Sequence, residues 1–203
     1  MSLLVLNIGS SSVKHATYMH DGGRWSEGVR AQQPRAAGLG DSDSIGPQDL
    51  ALVAGILDAA ERDNGPLQAV GHRVVHGGRA FFAPVLVDGQ TLADITALAP
   101  LAPLHQPHNL MGIRAVAQLR PGLKQVACFD TAFHRTQPEL HRRLPLPENY
   151  FQEGFERYGF HGLSYGWLAQ EIARLRGALP RRMLAFHLGA GSSACAILDG
   201  RSH

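Results

Sequence analysis

Two short runs of this 203-residue chain concentrate groups that bind anions. In Asn7-Ile8-Gly9-Ser10-Ser11-Ser12-Val13-Lys14, a glycine, three hydroxyls and an ammonium fall within one turn. Backbone N–H groups of such a turn converge on an anion, hydroxyls add donors and lysine adds charge. An ordinary polar turn has a similar composition, so the run alone leaves both readings open. The second run, His187-Leu188-Gly189-Ala190-Gly191-Ser192-Ser193, repeats the device with glycines that permit close backbone approach to a phosphate. Two such loops point to a phosphate chain gripped between two domains. Neither is a Walker A loop, because the GxxxxGK[ST] spacing is absent and a strand, not a helix, follows the first.

Five further residues could carry chemistry. Arg73, inside Gly71-His72-Arg73-Val74-Val75-His76-Gly77-Gly78, is a guanidinium in an apolar strand. It pairs either with a carboxylate or phosphoryl ligand or with a structural acid. His105 and His108 flank Pro107 where a helix begins, a place that favours anions but also suits a plain capping loop. Asp130 follows a buried strand, where α/β folds expose functional groups, although an acid there also caps helices. His161, between aromatics and glycines in Tyr158-Gly159-Phe160-His161-Gly162, is either functional or a neutral core histidine. A serine hydrolase is disfavoured, since GSSS lies in a hairpin and not in a GxSxG elbow. No HxH or HExxH spacing supports a histidine metal site.

The elements that must position these groups alternate in type. Residues 3–8 (LLVLNI) and VKHATY read as two strands joined by the first loop, with a third strand over 24–30. QQPRAAGLGDSDSIGP reads as loop. DLALVAGILDAAER follows at helical spacing, then QAVGHRVVHGG as a strand. The alternation repeats with TLADITALAPL, a helix opened near Pro107, and KQVACFDTAFH as a buried strand. A domain boundary or hinge is expected within 134–159, followed by a helix ending at Gly177 and a final strand, Gly-rich turn and strand. The class is α/β. Expected domains are 1–133 and, from 134 to 203, a hinge with the incomplete beginning of a second domain.

At 44% hydrophobic the chain buries a real core. With 19 basic and 17 acidic residues and a net charge of +2, no basic face suggests nucleic acid. Cys128 and Cys195 lie in apolar runs and are expected as buried free thiols in a reducing cytoplasm. No run has the length and apolarity of a membrane span or signal peptide, so a cytoplasmic location is expected.

Taken in order, LVLNIGSSSVK, GHRVVHGG, LAPLHQPHNL, FDTAFH, YGFHGLSY and HLGAGSS resemble the signature segments of the acetate kinase family, which includes propionate and butyrate kinases. The resemblance runs from residue 3 to about residue 200. It implies the ribonuclease-H-like, actin-like fold of the acetate and sugar kinase, Hsp70 and actin superfamily, in which two such domains close on ATP. The implied reaction is reversible phosphoryl transfer from ATP, with Mg2+, to acetate or another short-chain carboxylate, giving an acyl phosphate and ADP.

By the same resemblance, Asn7 lies near the magnesium ion, and Ser10, Ser12 and Lys14 form the first phosphate loop. Arg73 binds substrate, and Val75 and Leu104 wall the acyl pocket. His161 stabilises the transferring phosphoryl group with His105 beside it, and His187, Gly189, Ala190 and Gly191 form the second nucleotide loop. Asp130 matches the family's acid-base position. A carboxylate nucleophile needs no deprotonation near neutral pH, which favours positioning or contact with magnesium-bound water. Ala190 replaces the usual asparagine, and Leu163 and Tyr165 replace a threonine and a histidine. The family's remaining catalytic arginine, adenosine pocket and dimer interface would lie beyond His203. The complete enzyme is therefore expected to be a homodimer, and this stretch alone inactive, with a non-catalytic anion-binding module as the alternative.

Overall fold

Leu4, Leu6 and Ile8 are buried and alternate with Val5 and Asn7, so β1 (Ser2–Ile8) turns one face to a core and one away. It pairs antiparallel with β2 (Ser12–Asp21), which pairs antiparallel with β3 (Arg24–Pro34). The third strand runs past the expected 24–30 because β2 offers partners as far as Ser12, opposite Pro34. An edge strand tolerates that proline. The computed structural model describes residues 1–35, 45–189 and 191–203. The centre of the expected Gly- and Ser-rich loop, 36–44, and Ala190 lie outside the described residues.

The described residues form two compact units, Met1–His76 with Pro84–Cys128, and Gly77–Ala83 with Phe129–His203. In the first, α1 (Pro47–Asn64) places Val53, Ile56, Leu57 and Ala60 on one side, with a proline opening its first turn. β4 (Ala69–Val74) runs parallel to β1, and β5 (Val85–Leu86) is a short strand. The TLADITALAPL stretch becomes α2 (Gly89–Ala97), whose N-cap Asp88 accepts from the Thr91 amide at 2.7 Å. After α3 (Gln106–Leu119), β6 (Lys124–Phe129) completes a six-stranded sheet in the order β3-β2-β1-β4-β6-β5. Leu4, Leu6, Ile8 and Val13 pack with α1 and with Met111, Ala115 and Val116 of α3. Each such side chain contributes about 1.5–3 kcal/mol, which pins the strand register and with it the residues of the opposite face.

KQVACFDTAFH does not remain a strand throughout. It ends at Phe129, and Ala132–Thr136 form a 3-10 turn. Within the second unit follow the short helices α4 (Glu139–Arg142) and α5 (Glu148–Gln152), then α6 (Gly162–Arg176), which stops at Gly177 in the left-handed conformation, φ 71°. β7 (Arg182–His187), β8 (Ser193–Leu198) and β9 (Arg201–Ser202) make an antiparallel sheet. Tyr165, Ala185, Cys195 and Ile197 form its core with Phe133, Leu168 and Met183.

Residues 77–83 belong to this unit for visible reasons. The Gly77 amide donates to Thr131 Oγ1 at 2.9 Å, Phe81 stacks on Phe129, and Arg79 pairs with Glu156 at 2.9 Å. The Glu156 side chain is fully buried and also accepts from Arg135 and Arg142. Burial alone would raise its pKa; the three guanidiniums outweigh that and hold it below the usual carboxylate range. The segment 134–159, where the sequence analysis sets a hinge, folds around this carboxylate. Cys195 is buried as expected, whereas Cys128 is only half-buried, and burial pushes both thiols up.

Under the first sheet, His72 is fully enclosed and donates Nε2–H to Gln125 Oε1 at 2.7 Å. Burial pushes its pKa down to about 4. The unfolded chain takes up this proton near pH 6.5 and the folded one only near 4, so stability is intact above 6.5 and falls as pH drops through that window. Denaturant unfolding should show a loss approaching the order of 3 kcal/mol from this group across the window. A His72→Gln variant should lose less over the same interval; equal losses would contradict the assignment.

Candidate active site

The core-facing register of β1, β2 and β4 sets one polar row on the sheet's other face. Lys14 lies opposite Asn7, and Arg73 follows His72, the partner of Leu6. Arg73 Nη1 donates to Asn7 Oδ1 at 3.1 Å, which brings two of the expected site residues into direct contact. A concavity of about 510 Å³ opens on this face, lined in part by Val5, Asn7, Lys14, Tyr18 and Gln32.

Beside the row, four carbonyls of the first loop are held by donors. Ile8 O accepts from Asn109 Nδ2 at 3.0 Å, Gly9 O from Arg35 Nη1 at 3.2 Å, Ser11 O from the Arg35 amide at 2.9 Å, and Ser12 O from the Gly9 amide at 2.9 Å. Ser10 and Ser11 are exposed and Ser12 is half-buried. The expected convergence of loop amides is thus modified, since the Gly9 N–H closes the turn internally. With those carbonyls taken, the exposed Ser10 and Ser11 hydroxyls and Lys14 are groups that could meet an anion.

The same helix that holds Ile8 holds the end of β4. Asn109 Oδ1 accepts from the Val75 amide at 2.9 Å, while Gln106 bonds both the amide and the carbonyl of His76. Sequence reasoning gave these two side chains no role; a buried amide on an otherwise apolar helix face was the available signal. Val75 is buried, Leu104 is 76% exposed and His105 is an exposed N-cap residue without a side-chain cap bond.

In the second unit the Asp130 carbonyl accepts the Gly162 amide at 2.8 Å, joining the end of β6 to the start of α6. A Cβ on Gly162 would lie 2.2 Å from that carbonyl oxygen, so only glycine permits the approach. His161 consequently sits at the N-cap with φ 57°, a left-handed conformation unusual for a side-chain-bearing residue. Its ring stacks on His187 with centroids 4.2 Å apart, and its Nδ1 meets Ser193 Oγ at 2.7 Å. Ser193 Oγ also meets the buried Tyr165 hydroxyl at 2.5 Å, and His187 Nδ1 meets Ser164 Oγ at 3.1 Å. His161 is therefore tied to both ends of the second loop. Gly189 and Gly191 are exposed there.

Asp130 is itself buried. His134 is held down by burial, while the Phe160 carbonyl that accepts from its Nε2 and the nearby Asp130 carboxylate act the other way.

The Acetokinase family matches residues 2–203. The chain belongs to the Acetokinase family. An acetate kinase of Rhodopseudomonas palustris is 41% identical over 221 residues, covering 98% of this chain and 55% of that protein. Among solved structures, the acetate kinase of Porphyromonas gingivalis superposes with a TM-score of 0.80 at 31% identity, covering 99% of this chain and 56% of that one. A propionate kinase from Francisella tularensis does so with a TM-score of 0.80 at 30% identity and the same coverage. The acetokinase chain described here thus spans about half the length of the relatives it matches, and it has the α/β class of the actin-like, ribonuclease-H-like fold.

Among the described residues no cluster of three His, Cys, Asp or Glu side chains could hold a metal ion. Asn7 Oδ1 faces a guanidinium, leaving one lone pair for a further partner. That oxygen would suit a single contact to Mg2+ or to a water on it.

Gly162→Ala supplies a test of how His161 is held. Helix propensity alone would make alanine stabilising by about 1 kcal/mol. The Asp130 carbonyl contact predicts instead a loss of about 1–3 kcal/mol in denaturant unfolding. A stabilised variant would refute the contact.

Proposed function

We propose that this acetokinase chain carries the carboxylate-binding and phosphate-loop residues of an acetate kinase, which moves a phosphoryl group reversibly between ATP and acetate or another short-chain carboxylate. The observation that carries this reading is the Lys14, Asn7 and Arg73 row beside a serine loop whose Ile8, Gly9 and Ser11 carbonyls are taken by Asn109 and Arg35, in a chain matching the family over residues 2–203. Phosphoryl transfer asks a protein mainly for alignment and for charge on the phosphoryl oxygens.

Arg73, already oriented by Asn7, is assigned the substrate carboxylate through its planar fork. Ser10, Ser12 and Lys14 are assigned nucleotide phosphates, as are His187, Gly189, Ala190 and Gly191. His161, held by Ser193 and stacked on His187, is assigned the oxygens of the transferring group. Asp130 is assigned a positioning role, since its backbone carbonyl takes the Gly162 amide next to His161, with contact to magnesium-bound water as the alternative. Val75 and Leu104 are assigned the acyl chain, and His105 a place beside the substrate. Bound Mg2+ would neutralise phosphate charge, with Asn7 the contact for the ion or its water. A carboxylate oxygen attacks the terminal phosphorus in line, the bond to the ADP oxygen breaks, and acyl phosphate and ADP result.

A second reading is an anion-binding module without turnover of its own, since the hydroxyls and lysine of the first loop would hold a phosphate without any transfer. Calorimetric titration separates the two, since a competent kinase binds MgATP more tightly than inorganic tripolyphosphate, whereas the module binds both alike. For the protein containing this chain, Arg73→Ala should lower acyl-phosphate formation, trapped with hydroxylamine, by about 100-fold in kcat/KM for acetate. Unchanged turnover would remove Arg73 from the site.

A further inference from the structure

Behind the first loop lies a buried ion pair that the reaction itself does not require. The Arg35 side chain is 2% exposed and binds Asp49 through Nε and Nη2, both at 2.6 Å. Its Nη1 makes two more bonds, to Gly9 O at 3.2 Å and to His108 Nδ1 at 2.8 Å. Its own amide holds Ser11 O at 2.9 Å. One residue thus secures two of the four loop carbonyls that have donors.

We propose that Arg35, clamped between Asp49 and His108, is a positioning residue for the first phosphate loop, and that the clamp closes only when His108 is neutral. The proposal rests on the phosphate-binding reading of that loop. A guanidinium has donors only, so His108 Nδ1 must present its lone pair and carry its proton on Nε2. Protonation would set an N–H against the Arg35 N–H groups and break the contact.

The charged and titratable groups around His108 are Arg35, Asp49 and His105. Burial foremost, then Arg35, lower its pKa, with Asp49 opposing and His105 adding a small push in the same direction. His108 is accordingly neutral near pH 7, and acid opens the clamp. The loop then loses the Nη1 tether on Gly9 O, and that carbonyl is free to turn toward the phosphates and repel them.

Arg35→Ala would strand Asp49 in a nearly closed site and could simply unfold the first unit. The informative variant is His108→Gln, because the glutamine Oε1 accepts from Arg35 at every pH. With 15N-labelled protein, the backbone amides of Gly9 to Ser12 are followed from about pH 7.5 to about pH 5. In the native chain they should shift together with the His108 ring, and in H108Q they should stay flat. Flat native amides, or identical shifts in both proteins, would overturn the clamp.

MgATP is then added to both proteins at the two ends of the range. Its own protonation is common to both, so a fall in affinity about tenfold greater in the native chain than in H108Q is the expected result. Equal falls overturn the link between His108 and binding. If the amides titrate as expected but MgATP moves none of them at pH 7.5, it is the phosphate reading of the loop that fails, and Arg35's part in binding with it.

Discussion

Under the proposed function the first loop must keep its carbonyl oxygens away from phosphate, because each is a negative dipole end that would oppose the charge it has to hold. Here that requirement is met by donors drawn from far along the chain. Asn109 reaches Ile8 across 101 residues, and Arg35 holds Gly9 and Ser11 by side chain and backbone. The Gly9 amide closes the turn on Ser12. Because Asn109 also takes the Val75 amide, the ends of β1 and β4 move as one piece, and Arg73 keeps its place next to Asn7. The apolar face of the sheet fixes the register, and the polar face inherits it.

The second unit achieves a comparable result by close approach instead of by long donors. Glycines at 77, 159 and 162 sit where a Cβ would run into backbone or a ring, at 2.8 Å from Phe81 O, 2.4 Å from His134 and 2.2 Å from Asp130 O. These contacts bring the chain entering α6 against the end of β6 and leave His161 in a left-handed turn. Ser193 and the His187 ring then fix the imidazole, so the second loop and the histidine are set together. Tyr165 takes part there as well, since its hydroxyl meets Ser193 Oγ.

Much of this was legible in the residues because it is local. Alternation in LLVLNI and VKHATY marks β1 and β2, Pro47 and Pro107 mark helix starts, and Gly177 marks a helix end. The family segments also identified Arg73, Asn7, Lys14 and His161 as residues worth placing. What was not legible depends on partners distant in sequence. The attachment of residues 77–83 to the second unit needs Glu156, and no local pattern announces that a lone glutamate will gather Arg79, Arg135 and Arg142. The Arg35, Asp49 and His108 clamp likewise joins three segments, one of them next to residues that read only as loop. Asn109 and Gln106 were visible as polar residues on an apolar helix but gave no hint of what they would bind. The third strand outran its expected end because pairing with β2, and not propensity, decides where it stops.

The claim on which the account turns is that the hydroxyls and lysine of the first loop meet a nucleotide while Asn109 and Arg35 hold back the Ile8, Gly9 and Ser11 carbonyls. A crystal structure of the chain grown with MgATP tests it most directly. The account predicts phosphate oxygens within about 3 Å of the Ser10 and Ser12 hydroxyls and Lys14 Nζ. It also predicts that Ile8, Gly9 and Ser11 carbonyls stay on Asn109 and Arg35. Phosphates bound away from this loop, or any of those carbonyls swung toward the nucleotide, would contradict it.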